Sequence, residues 1–180
     1  MLMANPILPM TRAAQCGFSM IEILISLLIT AFGLLALASF ATKATALSVD
    51  ATQRARAAAL LADMASRIEN NKVNAAAYVT AAVGGAVQVC AGAVASPARD
   101  ICEWNNLLAG TNDGGTGAAF LGYRGCVTQL GLNPVFVVTV AWGSLAPGIP
   151  SADLCAQGVF GDDSLRRTVR SQVRIATLTL

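Results

Sequence analysis

The sequence predicts an α+β protein in which one long N-terminal helix, half membrane-spanning and half amphipathic, packs on an antiparallel β-sheet head. Three observations predict it. From Ile23 to Thr42 twenty residues carry no charge, and at about 1.5 Å per residue a helix of that length spans roughly the 30 Å hydrocarbon core of a bilayer. No proline lies between Pro9 and Pro97, and Gly33 is the only glycine between Gly17 and Gly84, so nothing in that interval stops the helix. Runs rich in β-branched residues, separated by glycine and proline turns, fill the second half of the chain.

Composition agrees with one membrane helix and no more. Hydrophobic residues make up 55% of the 180 positions and charged residues 12%, yet no second run matches Ile23 to Thr42 in length. The remainder is polar, loop-rich and long enough for one modest core. A net charge of only +2 gives no reason to expect a nucleic-acid partner.

Beyond the membrane-length run the helix continues. Leu47, Ala51, Ala55, Ala58, Leu61, Ala62, Ala65 and Ile68 recur at helical spacing, with Asp50, Gln53, Arg54, Arg56, Asp63 and Arg67 largely outside that stripe. The helix is expected from about Phe18 to Asn71, on the order of 80 Å. After it, Ser96-Pro97 reads as the cap and first position of a short helix through Leu108, with Ile101, Trp104 and Leu108 on one face. Thr111 to Gly117, "TNDGGTG", is a loop by composition. Strands are expected over Cys126–Leu130, Val135–Trp142 and Thr168–Leu178, the last with Val169, Val173 and Ile175 on one face. An antiparallel sheet against the amphipathic half of the long helix buries these faces.

The start of the helix carries an acid, Glu22, just ahead of the uncharged run. A cleaved secretory signal is one reading, but its candidate site Ala36-Leu37-Ala38 lies inside the apolar run and leaves Gly17 and Glu22 without a purpose. A lipoprotein box at Cys16 has the hydrophobic segment on the wrong side. The residues Gly17-Phe18-Ser19-Met20-Ile21-Glu22, followed at once by the apolar helix, resemble the processing site of type IV prepilins. The resemblance implies cleavage by a prepilin peptidase between Gly17 and Phe18, N-methylation of Phe18 and retention of the apolar helix. It also implies that Glu22 pairs with the new α-amine of a neighbouring subunit during filament assembly. The plainer alternative is that Glu22 snorkels to the headgroups and suits the helix N-terminus. Met20 stands where leucine is usual, and Ser39 stands where many major pilins have a helix-loosening proline. The leader is long and apolar for the family; Met10 before Thr11-Arg12 gives a more usual one, so Met1, Met3 and Met10 are all candidate starts.

The resemblance divides the chain into a removed leader (1–17), a transmembrane or filament-core helix (18–43), its amphipathic continuation (44–72) and a pilin-like extracytoplasmic head (73–180). Its head motifs are "ARAAALLADMASRI", "DICEWNNLLAG", "GCV", a valine-rich strand ending in Trp142, then Cys155 and Arg166-Arg167 before the last strand. In that order they are similar to the PilV family of minor pilins, the type IV pilus modification proteins. This implies a low-abundance, non-enzymatic subunit that joins other minor pilins to prime pilus assembly, with a place at the tip. Its implied setting is the inner membrane, single-pass with the head in the periplasm, and then the filament. The implied partners are the prepilin peptidase, other minor pilins, the major pilin and a large tip adhesin; the implied roles are in twitching motility and cell adhesion. A minor pseudopilin of a type II secretion system shares the leader, Glu22 and the helix, and is the alternative.

Of the five cysteines, Cys16 belongs to the leader, which leaves Cys90, Cys102, Cys126 and Cys155 in the head. An even number in an extracytoplasmic domain points to disulfides with three open connectivities. Cys90–Cys102 and Cys126–Cys155, the nearer pairs, are the expectation. With no histidine and no C-x-x-C, zinc is the weaker account, and no Ser-His or Cys-His nucleophile can be built. No metal and no cofactor is expected. Asp113, Asp162 and Asp163 lack EF-hand spacing and read as solvated loop acids. Arg166-Arg167 reads as a strand flank that keeps an edge soluble, and Trp104 and Trp142 as core anchors.

Overall fold

A computed structural model of the chain describes residues 17, 19–91, 93, 96–110, 122–131 and 135–175. The expected leader up to Cys16, Phe18, the loop from Thr111 to Gly117 with Asp113, and the end of the last expected strand at 176–178 lie outside the described residues. The chain divides into two compact units, Met1–Ala46 and Leu47–Leu180.

One helix, α1 (Met20–Asn70), runs through 51 residues. Its stretch in the first unit is apolar around the whole circumference, with Leu24, Leu27, Phe32, Leu35 and Phe40 all well exposed. The helix is long and apolar enough to cross a membrane, with a mean hydropathy of 2.5 in its most apolar window and 0% of that window buried.

In the second unit α1 buries Gln53, Ala57, Leu61, Met64 and Ile68. This face is rotated from the expected stripe. Leu47 is 72% exposed, and Ala51, Ala55, Ala58 and Ala62 also face out, leaving Leu61, Ala65 and Ile68 as the expected residues that pack inward. Each alanine methyl is worth under about 1 kcal/mol of transfer energy. In a segment so rich in alanine, the large side chains of Leu61, Met64 and Ile68 set the rotation.

After α1 the chain makes a 3₁₀ stretch, Lys72–Tyr78, kinked at Asn74, and then strand β1 (Thr80–Val83), helix α2 (Pro97–Leu108) and strands β2 (Arg124–Leu130), β3 (Val135–Gly143) and β4 (Arg166–Arg174). The four strands form one sheet in the order β1-β2-β3-β4, antiparallel throughout. The α+β expectation, a long apolar N-terminal helix with an antiparallel sheet, is the architecture found. The helix through Leu108 starts as expected, with Ser96 Oγ accepting from Arg99 N at 3.4 Å and Pro97 in the first turn. The 3₁₀ stretch and β1 are not legible in advance, because "TAAV" carries too few β-branched residues to declare a strand.

Alternate residues of the sheet face the helices. Val127 on β2, Phe136, Val138, Val140 and Trp142 on β3 and Val173 on β4 share one core with Leu61, Met64 and Ile68 of α1 and Trp104 and Leu108 of α2. Both tryptophans are core residues, and Trp104 Nε1 donates to the Leu60 carbonyl at 2.9 Å, tying α2 to α1. Two glycines permit this packing. A Cβ on Gly125 would overlap the Trp104 ring and meet Leu108 Cδ1 at 2.7 Å. Gly84 adopts φ +107°, which L side chains resist, and its N–H reaches Asn105 Oδ1 at 2.7 Å.

A polar cluster closes one end of the α1–α2 contact. Arg67 pairs with Asp63, Asp100 and Glu103 at 2.9 to 3.0 Å, Arg99 also holds Glu103, and the Tyr78 hydroxyl donates to Asp100. Burial, and then the bond to Asp100, push the Tyr78 hydroxyl up to about 12. Arg99 first and Arg67 second hold the Glu103 carboxyl below its ordinary range.

On the other face of the sheet the segment between β3 and β4 folds over Cys126, Ala141, Cys155, Ala156 and Phe160. Arg166 holds this segment. Its guanidinium is 1% exposed and donates to the carbonyls of Ser151, Asp153 and Cys155 and to the Asp163 carboxylate. Arg166 is therefore a buried organiser, where the sequence suggested a soluble strand flank. Disulfides join Cys90 to Cys102 and Cys126 to Cys155, 12 and 29 residues apart. Cross-links closing loops of that size stabilise by about 3 kcal/mol each in the chain-entropy account.

Two outcomes follow for the full chain in detergent. Gly125→Ala should lower stability by about 1 to 3 kcal/mol, because the new methyl has to displace Trp104; an unchanged melting transition would contradict the packing. The unprocessed chain, unfolded without reductant, should present one reactive thiol, Cys16, whereas five would refute both disulfides.

Candidate functional site

The N-terminal residues form the first candidate. Ser19 provides the carbonyl that starts α1, accepting from Glu22 N at 3.0 Å and Ile23 N at 3.3 Å. Glu22 therefore lies in the first turn, where a carboxylate is favoured by the unpaired N–H groups of the helix start. Among the described residues no donor reaches its carboxylate.

Ser26 and Thr30, which the sequence reading passed over, lie one and two turns beyond Glu22 on the same face. Each satisfies itself: Ser26 Oγ donates to the Glu22 carbonyl and Thr30 Oγ1 to the Ser26 carbonyl, both at 2.7 Å. With Ile23 and Leu27 the three line a shallow groove of about 400 Å³. The signal was present in the i, i+4, i+8 spacing from Glu22. Along this face the hydroxyls are compatible with hydrocarbon because they return to the backbone, whereas the Glu22 carboxylate has no donor among the described residues.

Gly17 is explained by nothing in the fold. A Cβ built there meets no atom within 4 Å, so a glycine at this position answers to no contact among the described residues. Its neighbour Phe18 lies outside the described residues.

The head offers a second place to look. A cavity of about 560 Å³ lies between β1 and the segment over the outer sheet face, lined among others by Thr80, Cys126, Thr139, Asp153 and Val159. Its one carboxylate is engaged, since Asp153 accepts from Thr139 Oγ1 at 3.1 Å and from Cys155 N at 2.8 Å. The cysteines beside it are disulfide-bonded. With no histidine in the chain, it holds no Ser-His or Cys-His pair. Asp162 and Asp163 are likewise spent locally, on Ser164 N and on Arg166 and Gly158 N. No cluster of potential metal ligands occurs among the described residues.

The two sets of sequence candidates fall in different units. Gly17 and Glu22 belong to the first unit, and the four head cysteines form two separate cross-links in the second. A family model for the prokaryotic N-terminal methylation motif matches residues 12–38, a span that contains Gly17, Phe18, Glu22, Ser26 and Thr30. No curated protein and no solved structure matches the chain. The motif implies processing by a prepilin peptidase, anchoring in a membrane and assembly with other pilins. Together with a long apolar N-terminal helix and a four-stranded antiparallel sheet, it supports a type IV pilin-like protein.

Proposed function

We propose that this chain is a minor pilin of the type IV pilus, of the PilV kind, a structural subunit that helps initiate pilus assembly and sits at or near the tip. The observation that carries the proposal is the Glu22 carboxylate, without a donor among the described residues, in the first turn of a helix whose next twenty residues are uncharged, five residues after a glycine that meets no contact among the described residues. A peptidase that has to seat the backbone closely beside the cut is a reason for glycine at 17. Cleavage between Gly17 and Phe18 frees an α-amine, which N-methylation leaves positively charged, in the same stretch of helix that carries the acid.

The energetics favour a pairing between subunits. A carboxylate deep in a bilayer costs about 2.5 to 3.5 kcal/mol on insertion scales, and Ser26 and Thr30 cannot relieve it because their hydroxyls are committed to the helix backbone. In a helix bundle the amine of a neighbouring subunit's first residue supplies the counter-charge and selects one axial position. The apolar half of α1 is then the packing surface of the filament, and the head is a display domain, extracytoplasmic and cross-linked by two disulfides. The order of head motifs supports the PilV assignment. The partners are the prepilin peptidase, other minor pilins, the major pilin and a large tip adhesin, first in the inner membrane and then in the filament, with consequences for twitching motility and adhesion. The protein acts by assembling, without catalysis.

Paired substitutions separate the two N-terminal roles. Gly17→Val should block conversion to the shorter form on a blot while leaving the helix intact. Glu22→Ala should be inserted and cleaved normally, because losing an acid eases insertion, yet its recovery with other minor pilins and with sheared pili should fall by about tenfold or more, the consequence of leaving one charge of a desolvated pair unmatched. Wild-type recovery of the cleaved variant would mean that Glu22 merely snorkels.

Deletion of the gene distinguishes a pilus from a secretion system. Loss of surface pili and twitching with normal export of folded proteins is the expected result, and the opposite pattern would assign the chain to the minor pseudopilins, which share the N-terminal features.

A further inference from the structure

The sheet ends on β4, which is open along one side. Among the described residues its partner in the order β1-β2-β3-β4 is β3 alone. The register is unbroken from Gly143↔Arg166 to Val135↔Arg174 and continues one step further, where Ser144 N donates to Leu165 O at 2.7 Å. Bonded and non-bonded pairs alternate along an antiparallel ladder. Counting from Leu165, the backbone groups of Arg167, Val169, Ser171 and Val173 face β3, and those of Thr168, Arg170, Gln172 and Arg174 face away from it. No acceptor meets these outward N–H groups among the described residues.

The same residues place their side chains on the sheet surface away from α1, beside Ala141, Thr139, Val137 and Val135 of β3. Arg170, Gln172 and Arg174 are exposed, and neither arginine has an ion-pair partner among the described residues. The opposite edge differs. β1 is four residues long and its pairing with β2 shifts register, which is how natural sheets protect an edge. β4 is nine residues long and regular, and its protection is charge alone.

Charge also selects the occupant. None of the four strands contains an aspartate or glutamate, so the sheet of a second copy brings no carboxylate, and β4 against β4 would set two arginine rows against each other. We propose that the open edge of β4 docks an extended acidic segment of a different protein, which adds to the sheet as a further strand and presents carboxylates to Arg170 and Arg174. Main-chain bonds to the outward groups supply affinity, and the two guanidiniums, roughly 13 Å apart along the strand, select acids at matching alternate positions. The proposal rests on β4 alone and does not depend on the pilin reading.

The test uses the full chain in neutral detergent and, as probe, a synthetic peptide as long as β4 that alternates glutamate with threonine. Backbone amide exchange followed by NMR should slow by about tenfold or more at Thr168, Arg170, Gln172 and Arg174 when the peptide is added, with little change at Arg167, Val169, Ser171 and Val173. A peptide with glutamine in place of glutamate should bind about tenfold more weakly or worse. Gln172→Pro removes one outward donor without touching the ladder to β3 and should abolish the protection. Should that variant fail to fold, Arg170→Glu with Arg174→Glu keeps the backbone and should shift preference to a lysine–threonine peptide. Absence of selective protection at saturating peptide would overturn the proposal. So would protection that grows with protein concentration alone, which would put a second copy on the edge, or protection raised equally by anionic lipid in the micelle, which would make the arginines a headgroup site. In each of these cases cleavage after Gly17 and the dependence of assembly on Glu22 would stand unaffected.

Discussion

A carboxylate in an apolar setting favours a counter-charge, and among the described residues no donor reaches that of Glu22, at the start of the long apolar stretch of α1. An α-helix satisfies its interior backbone groups by itself, and Ser26 and Thr30 return their hydroxyls to the carbonyls of Glu22 and Ser26. Only the Glu22 carboxylate is left over. Large apolar side chains are exposed along the rest of this stretch, and no donor among the described residues pairs with the acid.

The second unit is organised by different forces. Its core sets large side chains of α1 and α2 against alternate residues of the sheet, and the close approach of Trp104 to β2 is possible only because Gly125 has no side chain. The charges at the end of this contact are mutually satisfied among Arg67, Asp63, Asp100 and Glu103. On the far face a single buried guanidinium, Arg166, gathers three carbonyls and a carboxylate, so the irregular segment before β4 is held by donors where regular secondary structure is lacking. Two cross-links pin the same regions covalently.

The cavity beside β1 contains an acid already engaged by a hydroxyl and an amide, next to a disulfide. Among the described residues the head presents an open, regular strand edge with arginines that lack an ion-pair partner at one side of the sheet, and a short, irregular strand at the other.

The sequence by itself determined the features that depend on local chemistry. An uncharged run of twenty residues, an acid at its start and the absence of proline state a membrane-length helix without any tertiary information. Ser96-Pro97 starts α2 because capping is a local bond, and the valine-rich run forms β3 because β-branched chains suit a pleated, buried surface. Tertiary structure alone decided which face of α1 turns inward, since a row of alanines is nearly indifferent to rotation and the buried Gln53 carries no hydrophobic signal; its carbonyl accepts from the Tyr123 hydroxyl, seventy residues away. It alone made "TAAV" a strand, by pairing it with β2, and turned Arg166 from an apparent surface charge into the centre of a buried network, because its acceptors are backbone carbonyls that no residue identity reveals.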